Sequence, residues 1–286
     1  MQNEDKGMEQ LAAAALSHGL VDTHCHLDWK SYDADRAEAI RRAVDVGVLR
    51  MVTIATDIAS SRRAVALAEE YAAVYASVGV HPNDAGDFGE NDLNTLRDLA
   101  LQPKVVAIGE IGIDYYWKKV APDAQTRAFR AQLELADEIG KPVIIHNRAA
   151  TEEVMSILSQ HFMRHSSHAT RGVLHSFSGD IAVAQQAFEL GLLIGFTGPV
   201  TFKKADALRE VARAVPIDQF VIETDAPFLT PEPHRGRRNE PAYVRYTAER
   251  IAALRNLTLE DLAEQTTANA MRLFRWTDIH DVNLSH

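Results

Sequence analysis

The sequence predicts an α/β protein, a closed (β/α)8 or TIM barrel, on three observations. Eight short apolar runs rich in β-branched residues alternate with amphipathic stretches, which is typical of βαβ units and a parallel sheet. The 286 residues suffice for eight such units in one domain. Histidine and acidic residues stand at the ends of many of these runs. This distribution favours a barrel, whose active site gathers residues from several strand ends, over the alternative fold, a doubly wound open sheet, which usually binds its ligand at one switch point.

The predicted elements follow one another regularly along the chain. The strands are Leu20–His24, Met51–Ala55, Val74–Val80, Val105–Glu110, Pro142–His146, Gly172–His175, Leu192–Phe196 and Phe220–Glu223. The helices are Asp35–Val46, Ser61–Ala72, Leu93–Leu101, Gln125–Ile139, Thr151–His161, Ile181–Leu190, Asp206–Val215, Pro241–Leu254 and Thr258–Phe274. These bounds predict a polar extension at residues 1–18, a single domain at 19–276 and a tail at 277–286.

Composition excludes several classes of protein. Thirty Lys and Arg against forty Asp and Glu give a net charge of −10, which argues against a basic groove that grips a long polyanion but allows contact with one or two phosphates. The single cysteine, Cys25, excludes a disulfide framework and a cysteine-based zinc finger.

No apolar run approaches the ~18 residues of a membrane span, and the N-terminal apolar stretch is shorter than that of a secretory signal. We therefore expect a cytoplasmic protein without a membrane partner; a monomer is compatible with the sequence, which does not decide the oligomeric state.

Two histidines stand at alternate positions at the end of the first predicted strand, His24 as its last residue and His26 two residues later. Because side chains two apart in a strand project to the same side, His24 and His26 can direct both imidazoles at one point, which forms half of a site for a divalent metal. Asp22 has the same parity and is expected to orient them as a hydrogen-bond acceptor. Cys25 faces the other way and is expected to pack.

Four later runs also end in a histidine or a carboxylate. These residues are Glu110, His146, His175 and, after the eighth run, Glu223 and Asp225. In a barrel the C-terminal strand ends meet on one face, so we expect the side chains to cluster with the first-strand histidine pair. The resulting set is larger than the three or four ligands of one catalytic zinc and suits two divalent cations bridged by a carboxylate. Imidazoles favour zinc or manganese and carboxylates favour magnesium, so the identity of the metals stays open.

The chain resembles the TatD family of metal-dependent hydrolases, within the amidohydrolase-like barrel superfamily. The resemblance runs in order from residue 20 to about 274, and departs from the family in the extension at 1–18 and in Asn147. The matching segments are LVDTHCHLD (20–28), GVHP (79–82), GEIGIDYY (109–116), KPVIIHNRAATEE (141–153), HSFSGD (175–180), IETDAPFL (222–229) and HRGRRNEP (234–241).

The resemblance implies a dinuclear metal site at the C-terminal face of the barrel. The first metal would be held by the first-strand histidine pair and Asp225, and the second by His146 and His175, with Glu110 bridging. It also implies a divalent-metal-dependent deoxyribonuclease, of which several act as exonucleases from the 3′ end, with DNA strand ends as partner. Asp225 is then the candidate general base. Glu223 is a candidate supporting residue behind the site or a second candidate base, with an ion-paired strand end as the alternative.

Substrate contacts are less specific in the sequence. Arg148 shares the strand parity of the preceding histidine and could bind phosphate through its guanidinium, or be a solvated loop residue. His81 ends the third run and could bind substrate or pack. Arg235, Arg237 and Arg238 form a basic loop after the eighth strand, where barrels commonly bind phosphate, although charge runs are usually solvated surface. The aromatic segment 115–117 is expected to pack, with base stacking as the alternative.

Three functions are compatible with this cluster. A two-metal deoxyribonuclease is favoured by the resemblance, by Arg148 and by the basic loop. A two-metal hydrolase of a small amide, lactone or phosphoester would use the same groups on another electrophile. A non-catalytic metal-binding protein would be expected to lack one or more of the ligands, and none is missing here.

Overall fold

The computed structural model describes residues 18–163 and 171–277. Eight parallel strands form one sheet in the order β1 to β8, and helices follow the strands around its outside, so the predicted (β/α)8 barrel is confirmed. The strands are β1 Leu20–Cys25, β2 Val48–Ile54, β3 Val74–Val78, β4 Val105–Asp114, β5 Val143–Arg148, β6 Gly172–Leu174, β7 Leu192–Phe196 and β8 Phe220–Ile222. The helices are α1 Arg36–Asp45, α2 Ile58–Glu70, α3 Glu90–Ala100, α4 Pro122–Ile139, α5 Thr151–Phe162, α6 Ile181–Glu189, α7 Asp206–Ala214, α8 Val244–Arg255 and α9 Leu259–Phe274.

Strand β1 and the segment after β8 bring the two edges of the sheet together. The N–H of Asp225 donates to the carbonyl of His24 at 2.8 Å, and the N–H of His26 donates to that of Ala226 at 2.7 Å. Every residue of β1 is buried, including its polar ones. His24, in β1, and His26, directly after it, therefore have a fixed backbone at the C-terminal rim of the barrel.

Strand β4 is longer than the sequence indicated. The predicted strand ends at Glu110, but a register shift between Ile108 and Ile111 lets β4 continue along β5, up to the pair of Asp114 with Arg148. The bulge keeps the backbone hydrogen-bonded past Glu110, which is why the strand does not end there. As a result Asp114 also lies at the rim.

Gly112 allows this extended part of β4 to lie against β5. Its φ is +146°, and a Cβ atom there would stand 2.0 Å from the carbonyl oxygen of His146. We therefore expect Gly112→Ala to lower the free energy of unfolding by about 2 kcal/mol or more, measured by urea denaturation. Gly86→Ala is the matched control, because its Cβ would meet only Val120 Cγ2 at 3.9 Å. Equal stability of the two variants would contradict this role of Gly112.

The predicted terminal segments lie almost wholly outside the described residues. Of the extension only His18 is described, and its backbone N–H and ring contact Glu260 on α9. The domain bounds 19–276 stay a prediction. None of the helices in the described part of the chain has the length and apolar character needed to cross a membrane.

Candidate metal centre

The six predicted ligands converge on the rim of the barrel around one carboxylate. Glu110, at the bulge of β4, is 3% exposed and lies between two groups of side chains. Its Oε2 faces the histidines of β1, 3.6 Å from His24 Nε2 and 4.0 Å from His26 Nε2. Its Oε1 faces the other pair, 2.6 Å from His146 Nδ1 and 2.7 Å from His175 Nε2. One carboxylate therefore joins two separate half-sites.

Asp225 completes the first half-site. Its Oδ1 lies 3.6 Å from His24 Nε2 and 3.4 Å from His26 Nε2. The φ of Asp225 is +55°, an unusual conformation for a non-glycine residue, and its backbone is held on both sides. Its N–H donates to His24, and its carbonyl accepts the N–H of Phe228 at 2.8 Å. The strained backbone turns the carboxylate toward the two imidazoles.

The arrangement fits divalent cations. Two atoms that each lie about 2.1 Å from one zinc at the tetrahedral angle are about 3.4 Å apart, close to the ring-to-carboxylate separations of the first half-site. His24 is fully buried, yet neither its Nδ1 nor its Nε2 has a hydrogen-bond partner among the residues that the structure describes. Its ring also stacks on that of His175, with centroids 4.0 Å apart. A buried imidazole without partners is costly unless a cation engages it, which supports metal binding here.

Hydrogen bonds on the far side of the rings fix which nitrogen faces the centre. His26 Nδ1 donates to the carbonyl of Ile54 at 2.9 Å, which leaves its Nε2 toward Asp225. His146 Nε2 lies 3.2 Å from Asp114 Oδ2, which leaves its Nδ1 toward Glu110. Metal-binding histidines usually have such a carbonyl or carboxylate behind them, because it holds the ring and its tautomer.

Glu223 lies behind His175 in the interior of the barrel. Its side chain is fully buried, and its Oε1 lies 3.8 Å from His175 Nδ1. Oε1 also accepts the N–H of Ser176, and Oε2 accepts the hydroxyl of Thr23 at 3.4 Å. Gly195 makes room for it, since a Cβ there would stand 2.6 Å from the carboxylate carbon. Of the interpretations left open by the sequence, these contacts favour the supporting residue behind His175.

The electrostatics of the centre favour positive charge. Burial lowers the pKa of His26, but its hydrogen bond and charge interaction with Asp225 raise it overall to about 9. Burial raises the pKa of Glu110, but the surrounding histidines hold it well below its usual value. For His24, burial and the neighbouring His175 lower the pKa well below the usual range. Glu110 therefore stays ionised and His24 stays neutral, and these are the forms in which each can bind a metal.

The role predicted for Asp22 is wrong. Its carboxylate does not contact an imidazole; it accepts the N–H of His24 at 3.3 Å and the N–H and hydroxyl of Thr224 at 2.9 and 2.6 Å. Strand parity is correct, but the fully buried side chain lies one step deeper in the barrel than the rings. Burial raises its pKa to about 8. Asp22 therefore fixes the junction of β1 with the segment after β8. Cys25 packs as expected, buried against the carbonyl of Val52.

His81 lies at the edge of the second half-site. Its Nδ1 accepts the N–H of Asn83 at 3.0 Å, so the other nitrogen carries the proton in the neutral ring. That Nε2 lies 3.7 Å from Glu110 Oε1, and the ring is 4.4 Å from that of His146. Burial lowers the pKa of His81 to about 3, so it stays a neutral hydrogen-bond donor that faces the site.

The predicted basic residues are in different situations. Arg148 is exposed, and its guanidinium lies 4.1 Å above the Tyr116 ring with no carboxylate of the described residues within salt-bridge distance. Arg235 stacks on Phe202 at 3.8 Å, and Arg237 is exposed in the same loop. Arg238 instead forms a bidentate pair with Asp35, at 2.6 and 2.7 Å. Its donors are therefore used within the fold.

Sequence reasoning missed Asp114 and the aromatic residues beside the ligands. Asp114 was assigned to a loop, although it has the same strand parity as Glu110 and could have been found by extending β4. Trp29 and Phe228 each lie three residues after a candidate ligand, and their rings pack 6.2 and 6.1 Å from that of His26. Their positions in the sequence did not indicate a place in the site, because a single aromatic residue after a strand usually packs in the core.

Comparison with known proteins finds relatives described as metal-dependent hydrolases and solved structures with the same fold. A family model described as TatD related DNase matches residues 21–275. A Bacillus subtilis protein, YabD, described as an uncharacterized metal-dependent hydrolase, is 47% identical over 256 residues, which are 90% of this chain and 99% of that protein. A protein of Erwinia amylovora, named 3'-5' ssDNA/RNA exonuclease TatD, is 35% identical over 261 residues, which are 89% of this chain and 99% of that protein. Among solved structures, YJJV, a TatD homolog from Escherichia coli K12, has a TM-score of 0.81 at 30% identity and covers 90% of this chain and 98% of its own.

Proposed function

Because the chain belongs to the TatD-related family of metal-dependent hydrolases, we propose that it hydrolyses phosphodiester bonds in DNA and removes nucleotides from the 3′ end of single strands. The observation that carries this proposal is the central position of Glu110, whose two oxygens face two separate histidine groups. Such a bridged pair of half-sites is typical of enzymes that hydrolyse phosphate esters with two cations. The cytoplasmic location stays a prediction of the sequence.

Each ligand has a defined place in the proposed reaction. The first cation, zinc, manganese or magnesium, would be held by His24, His26 and Asp225, the second by His146 and His175, and both by Glu110. Bound divalent cations would activate water and stabilise negative charge on the phosphate oxygens. Asp225 directs Oδ1 at the imidazoles, and its Oδ2 is the atom proposed to accept the proton of the attacking water.

Residues at the edge of the site would bind the phosphate group. His81 directs a neutral N–H into the site, which suits donation to a phosphate oxygen. The Arg148 guanidinium has no carboxylate partner within residues 18–163 and 171–277, and its donors match the geometry of a phosphate, so its environment best supports this role among the basic residues. Arg235 and Arg237 remain proposed contacts to more distant phosphates of a longer strand.

The proposal is tested by a panel of substrates offered to protein reconstituted with each metal. The panel contains single-stranded DNA, duplex DNA, RNA, bis(4-nitrophenyl) phosphate, a lactone and a cyclic amide. We expect single-stranded DNA to be degraded from its 3′ end. A 3′-labelled strand should then release its label at once as a mononucleotide, whereas a 5′-labelled strand should shorten stepwise. Hydrolysis of the lactone or amide without cleavage of any phosphodiester would contradict it and support a small-molecule hydrolase.

Arg148 and Arg238 provide a matched pair of variants, because one side chain is unpaired and the other is tied to Asp35. Arg148→Ala is expected to raise the KM for a single-stranded oligonucleotide by about tenfold, since a charge-assisted contact to phosphate is lost. Arg238→Ala is expected to lower the thermal midpoint of unfolding and to change KM less. The measurements are steady-state kinetics and thermal denaturation of both variants. A larger increase of KM in Arg238→Ala than in Arg148→Ala would indicate that Arg238 contacts the phosphate and would contradict this assignment.

A further inference from the structure

The exposed aromatic side chains of the described residues are all near the metal centre. Four such residues exist: Trp29 and Phe228, each 41% exposed, and Tyr116 and Trp117, 57% and 54% exposed. Aromatic side chains usually bury most of their surface, so exposure confined to one rim indicates a binding surface. The other large exposed apolar side chains are aliphatic or methionine residues, such as Leu101 at the end of α3.

The four residues form two pairs on opposite sides of the centre. Trp29 follows β1 and Phe228 follows β8, whereas Tyr116 and Trp117 follow β4. Strands β8 and β1 meet at the closure of the eight-stranded sheet, and β4 lies halfway around it. The rings of each pair pack edge to face, with centroids 4.8 Å apart in the first and 5.1 Å apart in the second. The half-sites bridged by Glu110 therefore lie between two aromatic platforms.

The first platform is fixed to the ligands of the first half-site. The N–H of Trp29 donates to the carbonyl of His26 at 3.3 Å, just as that of Phe228 donates to Asp225. The carbonyl of Phe228 also accepts a hydrogen bond from Asn239 Nδ2 at 2.5 Å, and Asn239 is fully buried. Both rings are thus held beside His26 by backbone contacts that a side-chain substitution leaves in place.

The second platform is fixed to the second half-site through one carboxylate. Asp114 Oδ1 accepts the N–H groups of Tyr116 and Trp117 at 2.9 and 3.0 Å, and its Oδ2 faces His146. The Arg148 guanidinium carbon lies over the Tyr116 ring, 4.1 Å from its centroid, and 5.4 Å from that of Trp117. Aromatic faces next to a cation without an acidic partner match the chemistry of a nucleotide, which combines a flat base with an anionic phosphate.

Resting on the proposed nuclease function, we propose that the two platforms stack the bases on either side of the scissile phosphate. The pair of Trp29 and Phe228 takes one base and the pair of Tyr116 and Trp117 takes the other. A base that stacks on these rings cannot remain in a duplex, so the platforms select unpaired strand ends. Every base has an aromatic face, so this selection is independent of sequence.

The test compares two oligonucleotides with the same charged backbone. One is decathymidylate. The other is the same strand with its two 3′-terminal nucleotides replaced by abasic analogues. We expect Trp29→Ala and Trp117→Ala each to lower kcat/KM for decathymidylate by about fivefold to 100-fold, and to lower it much less for the abasic strand. Trp29→Phe keeps an aromatic face and should recover most of the loss. Leu101→Ala, an exposed substitution outside the platforms, is the control.

A binding measurement separates this inference from the proposed function. A tetrathymidylate with uncharged methylphosphonate linkages resists cleavage and can be titrated into cation-free protein, with tryptophan fluorescence as the signal. We expect quenching that an abasic analogue does not produce and that Trp29→Ala reduces. Quenching without cleavage of any phosphodiester would refute the proposed nuclease function and support base stacking on the platforms. Cleavage by the protein, with equal losses of kcat/KM on base-containing and abasic strands in both alanine variants, would support the nuclease function and refute base stacking.

Discussion

The Glu110→Gln variant is expected to lose at least about 10³-fold in kcat/KM, the largest effect of any single substitution. The amide cannot place a negative oxygen toward each half-site, so the bridge between the two histidine groups is lost. Loss of about 4 kcal/mol of transition-state stabilisation corresponds to this factor. The measurement uses bis(4-nitrophenyl) phosphate, together with the metal content of the purified variant by mass spectrometry.

A matched control separates the bridge from a general effect of removing a negative charge. Glu69→Gln changes an exposed glutamate of α2 in the same way and is expected to leave activity unchanged. Circular dichroism should show that both variants keep the fold. Near-normal turnover by a folded Glu110→Gln variant with its full metal content would show that this carboxylate does not bridge.

Removal of divalent cations is expected to abolish hydrolysis completely and reversibly. The centre contains the carboxylates of Glu110 and Asp225 beside the buried His24, whose ring nitrogens have no hydrogen-bond partner among the described residues, and these groups suit cation binding. Dialysis against a strong chelator should remove activity, and zinc, manganese or magnesium should restore it, with binding that approaches two cations per chain. The thermal midpoint should also fall on chelation, because a ligand bound only by the folded state stabilises that state.

The outcome of the metal titration discriminates between models of the centre. Saturation at one cation per chain with full activity would contradict the dinuclear arrangement and leave one half-site with another role. Unchanged turnover after cation removal, verified by metal analysis, would exclude metal-dependent hydrolysis. Restoration by a single metal would identify the preferred cation, which the mixed imidazole and carboxylate set leaves open.

Much of the fold and of the ligand set could be predicted from the sequence. All eight strands were predicted in order, because a parallel strand buried on both faces is a short apolar run between amphipathic helices. Glu110, His146 and His175 were recognisable because a charged or ionisable residue directly after such a run must lie at the rim. The end of β4 was misplaced, since a bulge that lets a strand continue has no fixed sequence pattern.

The contacts of each side chain could not be predicted in the same way. Asp22 has the predicted parity but contacts Thr224, because depth in the barrel, and not parity, determines which partner is within reach. Arg238 was grouped with the other basic loop residues, although its guanidinium pairs with Asp35, more than two hundred positions away in the sequence. The two aromatic platforms combine residues from three loops, and no local pattern relates them.

The sequence by itself thus determined the barrel and the residue types at its C-terminal rim, because strand period, burial and chain order are local properties. Only the tertiary structure decided that the two oxygens of Glu110 face different histidine groups, that Asp114 and Glu223 lie behind His146 and His175, and that four exposed aromatic rings surround the centre. The physical reason is that closure of the sheet sets distances between residues far apart in the chain, and those distances decide which groups can share a cation, a proton or a base.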